Sequence, residues 1–153
     1  MKILVDADSC PRDARELTLR AARRLGIKAV FAANRPVPGI DGENVTMEIC
    51  PPSENAADNR LVELAQPGDL AISRDLALAK RLLEKGSLVI DDRGRAFTQE
   101  SINELLSVRN FTVGLAQNGL GVERTANYGK KESKAFADSL DRQLTKLLKP
   151  RLV

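Results

Sequence analysis

The chain has 153 residues, with 24 Lys/Arg against 21 Asp/Glu, a net charge of +3, two cysteines and no histidine. That length suits one domain, 1–153, with a real core. Without histidine or clustered cysteine, the usual zinc sites and Ser-His-Asp or Cys-His catalysis are excluded, leaving acid–base work to carboxylates, Lys, Tyr128 or metal-bound water. No apolar run reaches bilayer-spanning length, and the amino terminus meets Asp6 too soon for a signal peptide. A soluble cytoplasmic protein with no membrane partner is expected. The charge is uneven: 1–121 carry 16 Lys/Arg against 17 Asp/Glu, whereas 122–153 carry 8 against 4.

Residues 2–5 read as a short buried strand that runs into Asp6-Ala7-Asp8-Ser9-Cys10-Pro11. Residues two apart in an extended segment share a side, so Asp6 and Asp8 are expected to converge on one hard cation, Mg²⁺ or Mn²⁺. The competing reading makes them caps for the helix that follows. That helix is expected over 11–25, with Pro11 in its first turn and Ala14, Leu17, Ala21 and Leu25 at helical spacing. Arg12, Arg15, Arg20, Arg23 and Arg24 give it a basic surface, and Gly26 is its C-cap. Cys10, just before the helix, reads either as a thiol of lowered pKa or as a partly buried structural residue.

A second strand is expected over 27–33, closed by the turn-rich 34–39, and a third over 45–49, stopped by Pro51-Pro52. Residues 55–65 read as a helix. Asn55 and Asp58 fit a capping-box-like pair, with Asp58 as a functional acid the alternative. A fourth strand, 69–73, repeats the logic of the first, because Ser73-Arg74-Asp75 leads into a helix over 76–85. Ser73 or Asp75 can cap that helix. If strands one and four are neighbours, the same residues face Asp6 and Asp8 across the crevice where open α/β sheets hold ligands. A fifth strand covers 87–90, and Asp91-Asp92-Arg93-Gly94 is a turn or a contributor to the site.

Beyond residue 96 only helices are expected, over 98–116 and 132–148, joined by a polar Gly-bearing linker over 118–131. The sheet-bearing part is thus 1–96, with helices in 97–153. Alternating strands and helices imply right-handed crossovers and an α/β fold with a mainly parallel sheet of about five strands.

The stretches Val5-Asp6-Ala7-Asp8-Ser9-Cys10-Pro11, Ala33-Asn34-Arg35-Pro36, Ala57-Asp58-Asn59 and Gly68-Asp69-Leu70-Ala71-Ile72-Ser73-Arg74-Asp75 together carry a resemblance. Arg93-Gly94 with Phe97-Thr98, Arg109-Asn110-Phe111 and Lys134-Ala135-Phe136 extend it over nearly the whole chain. The chain resembles the YaiI/YqxD family of small bacterial proteins with a PIN-like fold. The resemblance implies a Rossmann-like three-layer α/β/α domain and a metal-dependent nuclease. It gives the acid roles to Asp6, Asp58 and Asp75, with Ser73 as a polar helper and Asp8 as an additional acid.

Three functions are weighed. In the leading one, Asp6, Asp8, Asp58 and Asp75 hold Mg²⁺ or Mn²⁺ for phosphodiester hydrolysis of RNA, with Asp6, Asp8 and Asp75 as the metal ligands. Arg12, Arg35, Arg74 and the basic C-terminal helix, with Asn34 and Ser73, would then contact the substrate. Few aromatic residues means little base stacking and little sequence specificity. In the second, Asp6-Ala7-Asp8 resembles the opening of the DxDx(S/T) motif of haloacid-dehalogenase-type phosphatases. Asp6 would be the nucleophile, Asp8 the general acid, Lys80 or Lys85 a positive charge, and Asp91-Asp92 metal ligands. The third is a non-catalytic RNA-binding or regulatory protein on the same fold.

Overall fold

Side-chain alternation along the strands sets the architecture. In a strand successive side chains point to opposite faces, and here both faces are apolar. Ile3 and Val5, Ala29, Phe31 and Ala33, Leu70 and Ile72, with Ile90, pack into one buried cluster. Leu4, Ala32, Ala71 and Val89 pack into another. Such doubly apolar strands belong to a parallel sheet covered on both sides. The computed structural model describes residues 1–53, 55–117 and 128–148.

Among these residues the chain forms β1 (Lys2–Asp6), α1 (Arg12–Leu25), β2 (Lys28–Ala33), β3 (Val45–Ile49), α2 (Ala56–Leu64) and β4 (Leu70–Ile72). It continues through α3 (Leu76–Glu84), β5 (Leu88–Ile90), β6 (Ala96–Phe97), α4 (Gln99–Gln117) and α5 (Lys130–Leu148). The sheet order is β3-β2-β1-β4-β5-β6, parallel except for the antiparallel β6. One core cluster takes Ala14, Leu19, Ala21 and Ala22 of α1 and Phe136, Leu140 and Leu144 of α5. The other takes Ala57 and Leu61 of α2, Leu78, Ala79 and Leu82 of α3, and Ile102 of α4. The fold is therefore three-layered, α1 and α5 on one face, α2, α3 and α4 on the other. Each large side chain among these that is fully buried, such as Phe31 or Phe136, contributes roughly 1.5–3 kcal/mol.

Several expectations need correction. The sheet has a sixth strand, β6, which is two residues long and too short to carry a period-2 pattern. Pro11 stands at the N-cap of α1 with extended backbone, so the helix starts one residue later than expected. Residues 118–127 of the expected linker lie outside the described residues. Among the described residues no helix is long and apolar enough to cross a membrane.

Two features fix where the carboxyl edge sits. First, β1 is flanked by β2 on one side and β4 on the other, so the connections change direction there and open a crevice. Second, at the opposite edge the buried Asp69 carboxylate accepts from the Lys2 backbone N at 3.0 Å, Lys2 Nζ at 2.7 Å and the Gln66 N at 2.9 Å. This pins the start of β1 to the start of β4, in the register that pairs Val5 with Ile72. Asp6 and Ser73, each one residue further on, are thereby brought side by side.

Candidate active site

The alternation that builds the core also aims the acids. Leu4 points into the α2–α3–α4 layer, and Asp6, two residues on, shares that side. Ala71 points the same way from β4, and so does Ser73. Asp58 comes up from the first turn of α2, and Asp75 stands at the N-cap of α3. Asp6, Asp8, Asp58 and Asp75 thus line one cavity of about 610 Å³, together with Ser9, Asn34, Asn55 and Arg74.

Asp6 is only 6% exposed. Its Oδ2 accepts the Ser9 hydroxyl at 2.8 Å and the Ser73 hydroxyl at 3.1 Å. Ser73 Oγ in turn accepts the Asp75 N–H at 3.0 Å, so the orientation of Asp6 is set from two directions. Burial raises the Asp6 pKa; the two hydroxyls oppose that, and the nearby Asp75 and Asp8 charges add to it. Asp58 is pushed up to about 6 by partial burial and then by Asp6 and Asp75, against a smaller opposing effect of Arg81. Four carboxylates crowd one pocket, and their mutual repulsion is visible in these shifts.

The capping alternatives divide. Asp75 is a true N-cap: its Oδ1 accepts from Ala77 N at 3.0 Å and Leu78 N at 3.2 Å. Neither Asp6 nor Asp8 caps α1, which has no side-chain cap. Asn55 does not cap α2 either. It sits in the left-handed region at φ 64° and forms no cap hydrogen bond, so the capping-box reading of Asn55 and Asp58 fails. Asp58 is left facing the pocket. Asp8 departs from simple alternation because β1 ends at Asp6: Asp8 is exposed in the turn and its Oδ2 accepts the Asn34 N–H at 2.9 Å.

Among the described residues no group of three Cys, Asp or Glu side chains is already gathered to hold a metal ion. Asp8 is tied to the β2 end and Asp75 to the α3 start, so closing on one ion requires side-chain rotation. In kind, the donors fit: hard carboxylate and hydroxyl oxygens, with a like-charge repulsion that a divalent cation relieves. Asp6, Asp8, Asp58 and Asp75 are the residues that would hold Mg²⁺ or Mn²⁺.

The remaining expected site residues are spread around this pocket. Arg74 lines it, and Asn34 lines it beside Asp8. Arg35 is exposed and outside its lining. Arg12 lines a different cavity, on the α1 side of the sheet edge. Asp91 closes the turn after β5, accepting the Arg93 and Arg95 N–H groups on Oδ1 at 2.9 and 2.8 Å. Asp92, buried and raised in pKa by that burial, lies near enough to Cys10 and Tyr128 for its charge to raise the pKa of both. Cys10 is buried among the α1 and α5 residues, and burial pushes its thiol up to about 12. The reactive-thiol reading of Cys10 is therefore replaced by the structural one, burial outweighing the helix end. Sequence reasoning gave Ser9 no role, although a hydroxyl three residues after a strand-end acid is well placed to turn back onto it.

The Asp58 shift carries a stability signature. An acid whose folded pKa is raised from 3.8 to about 6 loses stability as pH rises through that window, because the folded state disfavours the ionised form. Asp58→Asn is expected to raise stability above pH 6 by on the order of 1 kcal/mol, after discounting for solvent screening. Thermal melts of both proteins at pH 4 and pH 8 check this. The advantage should be near zero at pH 4; an equal difference at both pH values would contradict it.

An open parallel α/β/α domain with an acidic pocket at its switch point is the class that fold and site define. The chain belongs to the YaiI/YqxD family (DUF188, an uncharacterized bacterial family), whose model matches residues 4–146. A UPF0178 protein of Treponema denticola is 48% identical over 151 residues, covering 99% of this chain and 96% of that one. One of Treponema pallidum is 46% identical over 149 residues, covering 97% and 84%. One of Myxococcus xanthus is 40% identical over 149 residues, covering 97% of each. No solved structure matches the chain.

Proposed function

We propose that the pocket is the active site of a Mg²⁺- or Mn²⁺-dependent nuclease that hydrolyses phosphodiesters of RNA in the cytoplasm. The observation that carries this reading is the meeting of Asp6, Asp58 and Asp75, from three separate chain segments, in one cavity with Arg74. A bound divalent cation would supply charge stabilisation on the phosphoryl oxygens and a more acidic water. Asp6, fixed by Ser9 and Ser73, would be the pre-positioned donor of that site. Asp58, raised in pKa by partial burial and by the charges of Asp6 and Asp75, would complete that donor set, and the attacking water would give its proton to solvent. The new P–O bond forms to that water, one P–O ester bond breaks, and the leaving oxygen takes a proton from solvent. Arg74 would hold a phosphate oxygen at the pocket.

No specific observation favours the phosphatase alternative. Asp91 and Asp92 are outside the pocket lining, and Lys85 ends α3 at the opposite edge of the sheet. Incubation with single-stranded RNA and, separately, with p-nitrophenyl phosphate, each with Mg²⁺ or Mn²⁺, tests the reading. RNA should be cut and the monoester left intact, with cutting lost in Asp6→Asn/Asp75→Asn. Monoester turnover through a trapped aspartyl-phosphate would instead favour the phosphatase. RNA bound but uncut with either metal would favour a non-catalytic binding protein.

A further inference from the structure

A second cavity, of about 350 Å³, opens on the α1 side of the same sheet edge, lined by Arg12, Arg15, Glu16, Leu19, Pro38 and Ile40 with Gly39. It is built from continuations of two segments that also line the acid pocket. Ser9 and Asn34 border the acid pocket; Arg12 follows the first on α1, and Pro38 follows the second in the β2–β3 loop. The two cavities are therefore neighbours along the chain at both segments, three residues apart at the first and four at the second. Resting on the nuclease reading of the acid pocket, we propose that this cavity is a subsite for a flanking nucleotide of a single-stranded RNA whose scissile phosphate lies in that pocket.

Two arginines on one wall suit a phosphate. Arg15 is held in place, its guanidinium donating to the Cys10 carbonyl at 2.9 Å, which spends one of its five N–H donors. Arg12 is 81% exposed at its side chain and pairs with Glu16 at 3.1 Å. Such an exposed i,i+4 pair is worth only about 0.3–0.5 kcal/mol, so a phosphate can displace it. Leu19, Pro38 and Ile40 offer an apolar wall to a ribose or a base without the flat ring that would select by stacking. A cavity of about 350 Å³ has room for a single nucleotide unit and not for a duplex, which favours a single strand. The substrate class is then an oligonucleotide bridging two sites, not a mononucleotide or a phosphomonoester.

Fluorescence anisotropy with a labelled ten-nucleotide oligouridylate tests the subsite, with Ca²⁺ replacing Mg²⁺ to suppress cutting. Arg12→Ala/Arg15→Lys should bind roughly tenfold more weakly, with a shallower salt dependence, by about 0.7 in slope for each phosphate that is no longer neutralised. Glu16→Gln should bind a few-fold more tightly, since it removes the carboxylate that lines the cavity among the described residues. Arg20→Ala/Arg24→Ala, beside α5, should change neither quantity. Unchanged affinity and slope in both Arg12→Ala/Arg15→Lys and Arg12→Ala alone overturn the subsite. If wild type still cuts RNA in that case, the acid-pocket reading stands. A wild-type protein that neither binds nor cuts RNA overturns both.

Discussion

On the proposed nuclease reading, Asp6→Asn is expected to lower RNA cleavage by roughly 10³-fold or more, the scale of losing an electrostatic anchor of a reaction centre, while leaving thermal stability unchanged or raised. The two halves of this result have one origin. Asp6 is 6% exposed and its pKa is raised by burial, so the folded state carries a cost for its ionised form at neutral pH. Asparagine has nearly the same shape, and its amide oxygen can accept the Ser9 and Ser73 hydroxyls that Asp6 Oδ2 accepts. It removes the charge without leaving those donors orphaned. A residue kept for folding would behave in the opposite way. A melting temperature several degrees lower, with cleavage intact, would show that Asp6 holds the turn and nothing more. Parallel melts and RNA digests of wild type and variant at pH 7.5 decide between these.

Gly94→Ala is expected to destabilise the protein by about 3 kcal/mol, through the combined effects of a left-handed backbone and a steric clash. Gly94 has φ +85°, a conformation that costs any residue with a Cβ. An added Cβ would lie 2.5 Å from the Ala135 carbonyl oxygen and 2.9 Å from Ser139 Cβ, both on α5. Neither neighbour is the end of a flexible side chain, so relief requires α5 to move off the turn that follows β5. That helix buries Phe136, Leu140 and Leu144 in the core shared with α1, so its displacement exposes apolar surface. In a domain of this size each kcal/mol moves the melting temperature by about 2–4 °C, giving a fall of roughly 6–12 °C. Scanning calorimetry of the variant checks it. A fall below about 2 °C, less than a single kcal/mol would produce, would mean that α5 yields without loss and is not rigidly docked.

Most of the sheet-bearing layout was legible in the chain because its signals are local. Strands of continuous Ile, Leu, Val and Ala stop at polar residues, and Gly26 ends α1 in the left-handed conformation expected of a C-cap. The adjacency of β1 and β4, on which the meeting of Asp6 with Ser73 depends, was legible only as a condition. It is a long-range pairing, fixed in part by the Asp69 carboxylate holding Lys2 at the far edge. Four details were not legible. Ala96 and Phe97 form a strand through pairing with β5, not through any pattern of their own. Asn55 reads as a cap by residue type, yet its backbone is left-handed and its side chain makes no cap bond. Asp8 reads as a partner of Asp6 by period, yet the strand ends at Asp6, too early for that period to reach it. Arg12 reads as a neighbour of the acids by sequence distance, yet helix α1 carries it to the other cavity. In the last three cases tertiary context outweighed a local signal; in the first there was no local signal to read.

If Asp6, Asp8, Asp58 and Asp75 form one divalent-cation site, calorimetric titration with Mn²⁺ and Mg²⁺ tests it most directly. Wild type should bind at micromolar to millimolar concentrations, more weakly as pH falls below about 6, where protons compete at Asp58. Asp6→Asn/Asp75→Asn should show no heat of binding while keeping its fold by circular dichroism. Absence of binding to wild type at millimolar metal would contradict the site and leave the pocket without its proposed chemistry.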